Sequence, residues 1–249
     1  MASLVRVGVR RDAVTCPGRR SSRCRRGHES TSVAMVGLAP PRARGEESAM
    51  PNVRAVTVYA GSSTSATGEH LQLARALGDG IARQGWAVVY GGANIGLMGA
   101  LADAALDAGG RVEGVILDTF ARVAHAAIHD LVTVGDMRSR KAGLAHRGDA
   151  YVVLPGGYGT LEELSEILVE RQLVLHRKPL VLVNHQGFWD PLLALVDRMA
   201  DASLVKEKNR TLMTVVPDAA GAVEAILRFA NAPEPDDPSL YDVDDELRG

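Results

Sequence analysis

Hydrophobic residues alternate along the chain between short continuous runs and longer stretches in which they recur every three or four positions. The run at 56–60 (VTVYA) ends at Gly61 and precedes a stretch in which Leu73, Leu77 and Ile81 are spaced for one helix face. A continuous apolar run is typical of a buried strand, and the recurring spacing is typical of an amphipathic helix. The same sequence of strand, turn and helix recurs to about residue 229.

The predicted strands are short and apolar, and cover 56–60, 86–90, 112–117, 131–134, 150–154, 179–183 and 213–216. The predicted helices cover 71–81, 97–108, 138–145, 161–174, 192–199 and 219–229. Nearly continuous apolar strands that alternate with helices indicate a parallel sheet with helices on both faces. We therefore predict an α/β domain whose ligand binds beyond the carboxyl ends of the strands.

Charge divides the chain into three regions. Residues 1–49 contain ten Arg and four acidic residues, and cannot bury enough apolar surface to offset the entropy of ordering. We interpret them as a disordered basic extension or a start-site artefact, with Met50 as the natural start; a transit peptide or a nucleic-acid-binding arm is the alternative. Residues 231–249 hold seven acidic residues and predict an acidic tail. Residues 50–230 are predicted to be the single folded domain.

Composition excludes several classes of protein. A net charge of −2 gives no reason to expect a nucleic-acid partner, and no apolar run approaches the roughly 18 residues of a membrane-spanning helix. Two cysteines are too few for a disulfide framework or a four-thiolate zinc site. We expect a cytoplasmic protein without a metal, a membrane or a nucleic acid as partner. Paired metal-ligand spacing is absent among His125, His129, His146, His176 and His185.

The first glycine-rich turn (91–99, GGANIGLMG) lies between a predicted strand and a predicted helix. Its glycines, among them Gly92 and Gly96, let the backbone approach a ligand, and a helix N-terminus offers free N–H groups to a phosphate. The turn lacks the Gly-Lys-Ser/Thr of a P-loop and fits the G-x-G-x-x-G spacing poorly. Phosphate binding and close packing of the helix against the strand are both open interpretations.

The second turn (155–163, PGGYGTLEE) follows a buried strand, and its three glycines leave backbone amides free for an anion. Thr160 and Glu163 have the T-x-x-E spacing of a capping box, in which each side chain bonds the other's backbone amide. Glu162, Glu163 and Glu166 also crowd the first turns of the following helix. A helix cap and a polar binding site are therefore alternative interpretations.

A short basic stretch (136–141, DMRSRK) opens another predicted helix. At helical spacing Arg138 and Lys141 share one face, and Arg140 points elsewhere. A solvated basic face is one interpretation. A phosphate clamp is the other, because a guanidinium binds phosphate oxygens through two parallel hydrogen bonds.

Together these motifs resemble the Lonely-guy family of nucleoside 5′-monophosphate phosphoribohydrolases. The resemblance extends over some 180 residues, with GSS at 61–63, the two glycine-rich turns and KPLVLVNHQGFWDPLL at 178–193. It implies a doubly wound Rossmann-like sheet, a homodimer and no cofactor. It also implies hydrolysis of the N-glycosidic bond of a nucleoside 5′-monophosphate, which gives free base and ribose 5-phosphate.

The resemblance also implies a site. Arg140 and Glu163 match the family's catalytic pair, with Glu163 stabilising positive charge on the ribose or activating water. The implied substrate-binding residues are Gly92, Gly96, Asp130, Arg140, Lys141, Gly156, Gly157, Tyr158, Gly159, Thr160, Leu161 and Glu162.

The chain departs from the family at three places, where Ala60 replaces Cys, Arg138 replaces His, and 169–171 (VER) replaces a Trp-containing segment. The last change leaves the base open between a prenylated adenine (a cytokinin riboside 5′-monophosphate) and the adenine of AMP.

Three other functions are weighed against hydrolysis. A molybdenum-cofactor carrier of the same fold would bind a phosphorylated ligand without turning it over. A lysine decarboxylase would need pyridoxal phosphate on a lysine, for which Lys141 is the one lysine near the predicted turns. An oxidoreductase would need the full G-x-G-x-x-G fingerprint.

Overall fold

The described strands form one parallel sheet. The structure is a computed structural model, and it describes residues 53–231. The seven strands of this part are β1 (Ala55–Tyr59), β2 (Ala87–Tyr90), β3 (Val112–Leu117), β4 (Asp130–Val134), β5 (Ala150–Val153), β6 (Leu180–Val183) and β7 (Thr214–Val216). Each predicted strand is present with ends that differ by at most one residue. Val, Ile and Leu dominate them because the central strands are buried on both faces.

Six α-helices connect or follow the described strands: α1 (Gly68–Arg83), α2 (Gly96–Asp107), α3 (Met137–Arg147), α4 (Tyr158–Gln172), α5 (Asp190–Asp201) and α6 (Ala219–Asn231). The sequence pattern did not predict three 3₁₀ segments, which cover Asp118–Val123, His185–Gly187 and Glu207–Thr211. Within residues 53–231, no helix is long and apolar enough to cross a membrane.

The strand order is β4-β3-β2-β1-β5-β6-β7. The chain builds the sheet outward from β1 to β4, and then returns to the other side of β1 with β5. The loops after β1 and β5 therefore diverge, and this reversal opens a crevice at the carboxyl ends of the two strands. The predicted doubly wound α/β fold is confirmed.

Two hydrophobic clusters hold the helices to the sheet. On one face, side chains such as Leu77 of α1, Leu101 of α2 and Ile226 of α6 pack on the strands. On the other face, Leu144 of α3 and Ile167 of α4 are buried. Because β1, β2 and β5 each contribute side chains to both clusters, their carboxyl ends are packed on both faces of the sheet.

The predicted extension at residues 1–49 and nearly all of the predicted acidic tail lie outside the described residues. Asn231, the first residue of that tail, is the last residue of α6.

Gly78→Ala tests the close approach of α1 to α2. A methyl group on Gly78 would collide with the Leu101 carbonyl oxygen of α2. Alanine normally stabilises a helix interior relative to glycine by about 0.5–1 kcal/mol. At Gly78 the added methyl group would overpack the contact with α2, so the substitution should destabilise the protein instead. We expect the free energy of unfolding to fall by about 1–3 kcal/mol in urea denaturation. Gly68→Ala, at an open position at the start of α1, is the control and should change it by less than about 0.5 kcal/mol.

Candidate active site

A cavity of about 590 Å³ opens beyond the carboxyl ends of the central strands. Six separate segments of the chain line it. The lining residues include Ser62, Ser63 and His70 after β1, Gly91, Ala93, Ile95 and Met98 after β2, Phe120 after β3, Met137 and Arg140 of α3, Pro155 to Thr160 and Glu163 after β5, and Phe188 before α5. Its volume and its place at the reversal in strand order suit a small phosphorylated ligand.

The turn after β5 presents the N-terminus of α4 to this cavity. Gly157 is the N-cap residue and is extended, and no side chain caps the helix. The first intrahelical bond runs from the Leu161 N–H to the Gly157 carbonyl (3.0 Å), so the three preceding helical N–H groups have no intrahelical acceptor. Those amides and the helix dipole form a site for an anion.

Gly156 lets this turn fold back on the helix. A methyl group at Gly156 would collide with the Thr160 side chain, so the backbone there lies directly against Oγ1. The Gly61 N–H donates to the Pro155 carbonyl (3.2 Å) and thereby ties the turns after β1 and β5 together across the crevice.

The predicted capping box of Thr160 and Glu163 is wrong. The helix begins at Tyr158 rather than at Leu161, because Gly157 already takes the cap position. Thr160 is therefore the third helical residue, and Glu163 lies in the second turn, where its carboxylate faces α3 instead of the helix N-terminus.

Arg140 and Glu163 form a buried ion pair that joins α3 to α4. Arg140 Nη1 donates to Glu163 Oε1 (2.8 Å), and the two residues are 8% and 3% exposed. Asp136 caps α3 by accepting the Ser139 N–H (2.9 Å), which places Arg140 in the first turn, facing the sheet. The absence of a side chain at Gly91 gives the guanidinium its space.

Burial has the largest influence on the Glu163 carboxyl and raises its pKa above the ordinary value, while Arg140 lowers it through charge and hydrogen bonding. Burial also raises the pKa of the neighbouring Tyr59 hydroxyl, and the Glu163 charge adds to that shift. The site therefore holds one carboxylate against one guanidinium in a medium of low dielectric, where such charges act strongly on a ligand.

Lys141 makes a second connection between α3 and α4, outside the cavity. Its Nζ lies 2.6 Å from Glu162 Oε1 and 3.3 Å from Glu166 Oε1. The hydrogen bond to Glu162 is the main reason that the pKa of Lys141 is raised. The structure thus does not bring Lys141, Leu161 or Glu162 to the cavity lining, contrary to the expectation of a phosphate clamp.

Gly92 and Gly96 also serve packing in this structure. Both have a left-handed backbone, with φ of 77° and 60°. A methyl group on Gly96 would meet the backbone of Ser62 and Ser63 within 3 Å. Of the two interpretations of this turn, the structure supports close packing at these two positions, while their neighbours Gly91 and Ala93 line the cavity.

Asp130 lies away from the cavity, contrary to the expectation of a substrate contact. It begins β4, and parallel strands begin at the edge of the sheet opposite their carboxyl ends. Its Oδ2 accepts a hydrogen bond from Arg147 Nη1 (2.9 Å), which also bonds Glu113. Asp130 therefore takes no part in the site proposed below.

Sequence reasoning missed His70 and the apolar wall of the cavity. His70 lies in the first turn of α1, the helix that follows the GSS turn, and that position on the predicted ligand edge was the available signal. Met98, Phe120 and Phe188 come from three distant segments, and nothing local in the sequence marks them as neighbours.

Solved structures share this fold. A molybdenum cofactor carrier protein from Chlamydomonas reinhardtii has a TM-score of 0.57 and 23% identity, over 72% of this chain and 99% of that one. The molybdenum cofactor binding protein from Rippkaea orientalis has a TM-score of 0.56 and 22% identity, over 71% of this chain and 97% of that one. The fold and the cavity define a Rossmann-like α/β protein with a ligand site at the reversal of its strand order.

Sequence comparison narrows this class to a family. The family model described as "Possible lysine decarboxylase" matches residues 98–226. A cytokinin riboside 5′-monophosphate phosphoribohydrolase from Rhodococcoides fascians is 43% identical over 181 residues, which are 72% of this chain and 91% of that protein. A second such enzyme, from Arabidopsis thaliana, is 34% identical over 74% of this chain and 86% of that protein. The chain belongs to the Lonely-guy family, as its motifs suggested.

A lysine decarboxylase does not fit the site chemically. A decarboxylase of this kind holds pyridoxal phosphate on a lysine as a Schiff base. No lysine lines the cavity in the part of the chain that the structure describes, and the nearby Lys141 is paired with Glu162 and Glu166 outside it. Residues 53–231 also contain no cluster of three or more potential metal ligands.

The two connections between α3 and α4 should differ in their effect on stability. Arg140→Met leaves the Glu163 charge buried without a partner, and we expect the free energy of unfolding to fall by about 3–5 kcal/mol. Lys141→Met removes a more exposed pair, and the loss should be at most about 1 kcal/mol. Urea denaturation of both variants provides the comparison.

The double variant Arg140→Met/Glu163→Leu should regain part of the loss, because it removes both buried charges. If Arg140→Met and Lys141→Met lowered the free energy of unfolding equally, the assignment of Arg140 and Glu163 as the buried pair would be contradicted.

Proposed function

We propose that the protein is a phosphoribohydrolase that cleaves the N-glycosidic bond of a nucleoside 5′-monophosphate to free base and ribose 5-phosphate. The observation that carries this proposal is the buried Arg140–Glu163 pair, placed in the same cavity as the uncapped N-terminus of α4. The names of the relatives, cytokinin riboside 5′-monophosphate phosphoribohydrolases, support the same reaction.

The phosphate end of the substrate would lie on the turn after β5. The free amides of Tyr158, Gly159 and Thr160 and the dipole of α4 complement a dianion. A free nucleoside lacks this group, so a 5′-monophosphate should be strongly preferred.

Glu163 would act on the ribose. When the bond between C1′ and the base nitrogen breaks, its electron pair leaves with the base and C1′ becomes oxocarbenium-like. A carboxylate beside C1′ stabilises that positive charge and accepts the proton of the water that attacks C1′. Arg140 holds the carboxylate in place through Nη1 and contributes positive charge to the nucleotide side of the cavity.

The base would lie against the apolar wall. Met98, Phe120 and Phe188 form a surface that suits either the adenine of AMP or an adenine with an apolar prenyl substituent. We propose both nucleotides as substrates, since no polar side chain of the described wall selects against the substituent.

We also propose that the enzyme is a cytoplasmic homodimer. Apolar side chains of α4, α5 and the segments after them are exposed on the described surface, and a second copy would cover them. They are Val169, Leu173, Leu175, Leu195 and Leu204.

Glu163→Gln tests the proposed role of the carboxylate. Glutamine keeps the size of the side chain and an oxygen that accepts from Arg140, so the variant should still unfold in one cooperative transition, although at a lower free energy because Arg140 loses its counter-charge. Base release from AMP, followed by chromatography, should fall by about 10²–10⁴-fold.

Glu166→Gln is the matched control on the same helix, because Glu166 lies outside the cavity, and it should retain activity. Adenosine should release no base. Wild-type activity in Glu163→Gln would disprove the role, and tight binding of AMP without any base release by the wild type would favour a carrier.

A further inference from the structure

Cleavage of the glycosidic bond also requires a proton donor for the leaving nucleobase. The departing base takes the bonding electron pair, and it is a poor leaving group unless one of its ring nitrogens receives a proton. Glu163 cannot serve both sides, since its carboxylate accepts a hydrogen bond from Arg140 and is assigned to the ribose. The inference below rests on the proposed function and assigns this missing proton.

Four titratable side chains line the cavity among the described residues: His70, Arg140, Tyr158 and Glu163. Arginine does not give up its proton in proteins. Tyr158 is 93% exposed, so solvent surrounds its side chain. Histidine is the side chain that exchanges a proton near neutral pH, which makes His70 the one suitable donor in this set.

The structure fixes the orientation of the His70 ring. Its Nδ1 lies 2.8 Å from Thr67 Oγ1, one turn earlier at the start of α1. The ring also makes edge contacts with Phe188 (centroids 5.9 Å apart) and with His185 (6.1 Å). Within residues 53–231, Nε2 makes no hydrogen bond, so this nitrogen is available to a ligand in the cavity.

We propose that His70 is the general acid that protonates the leaving base. In the imidazolium form, Nδ1–H donates to Thr67 Oγ1 and Nε2–H donates to a ring nitrogen of the base. As the bond from C1′ breaks, the electron pair goes to the base, and the Nε2 proton neutralises it. The ring is left as the neutral Nδ1–H tautomer, which keeps its bond to Thr67. Water supplies hydroxide to C1′ and its proton to Glu163. Glu163 then releases that proton to solvent and His70 takes one up, which restores both groups.

The contact with Phe188 places His70 close to the proposed position of the nucleobase. Phe188 is part of the apolar wall proposed for the base, and its edge contact places the His70 ring next to that wall. His70, the general acid, and the leaving nucleobase therefore lie on the same side of the cavity.

The test uses substrates that differ in their need for an acid. AMP requires protonation of its leaving base, whereas 4-nitrophenyl β-ribofuranoside 5-phosphate and nicotinamide mononucleotide release a leaving group that is stable without a proton. His70→Gln and His70→Asn both lack an acidic proton. His70→Asn keeps a polar atom close to the position of Nδ1 for Thr67, and so preserves the anchor.

We expect both variants to lose about 10²–10⁴-fold in kcat for AMP. For whichever of the other two substrates the wild type cleaves faster, the loss should stay below about 10-fold, because no general-acid contribution is lost there. Retained cleavage of that substrate also demonstrates that the variants are folded. His185→Gln is the matched control: it contacts the same ring but does not line the cavity, and its activity on AMP should stay near that of the wild type.

Equal losses on AMP and on the activated substrate would overturn the assignment, and so would a loss on AMP of less than about 10-fold. Either result would leave the proposed function intact, provided that the wild type releases adenine from AMP and Glu163→Gln does not. A wild type that releases no base would overturn both.

Discussion

The buried ion pair of Arg140 and Glu163 is the interaction on which the site depends. Two charges taken out of water are costly, and they are tolerated only where geometry and hydrogen bonding are good. Much of the surrounding sequence supplies that geometry. Asp136 fixes the start of α3, Gly157 fixes the start of α4, and Gly91 leaves room for the guanidinium. A pair that adds little net stability is thus held by several features of local structure, as expected where charge serves a function.

The fold places this pair next to an anion site through its topology. The strand order reverses between β1 and β5, and the hydrogen bond between Gly61 and Pro155 spans that point. The N-terminus of α4 and its second turn then present two different chemical groups to one cavity, free amides and a carboxylate, which we propose to act on the phosphate and on the sugar. The distance between them along the helix is set by the backbone, which explains how a short motif can define both halves of a nucleotide site.

The regular elements were predictable because buried parallel strands leave a clear apolar pattern, and β3 was predicted at its observed ends. The start of α4 was not predictable in the same way. The T-x-x-E spacing suggested that Thr160 caps the helix, whereas Gly157 is the N-cap residue. Asp130 and Lys141 were assigned by position in a resemblance, and their ion pairs with Arg147 and Glu162 became visible only in three dimensions. The cavity wall could not be predicted, since it is assembled from segments whose neighbourhood depends on the whole topology.

The most direct test of the central claim is a crystal structure of Glu163→Gln with AMP bound. The account predicts that the phosphate lies on the amides at the start of α4 and that C1′ faces the side chain at position 163, in direct contact or across one water molecule. A nucleotide bound outside this cavity, or one whose C1′ faces away from residue 163, would contradict the assignment of the ion pair to glycosidic cleavage.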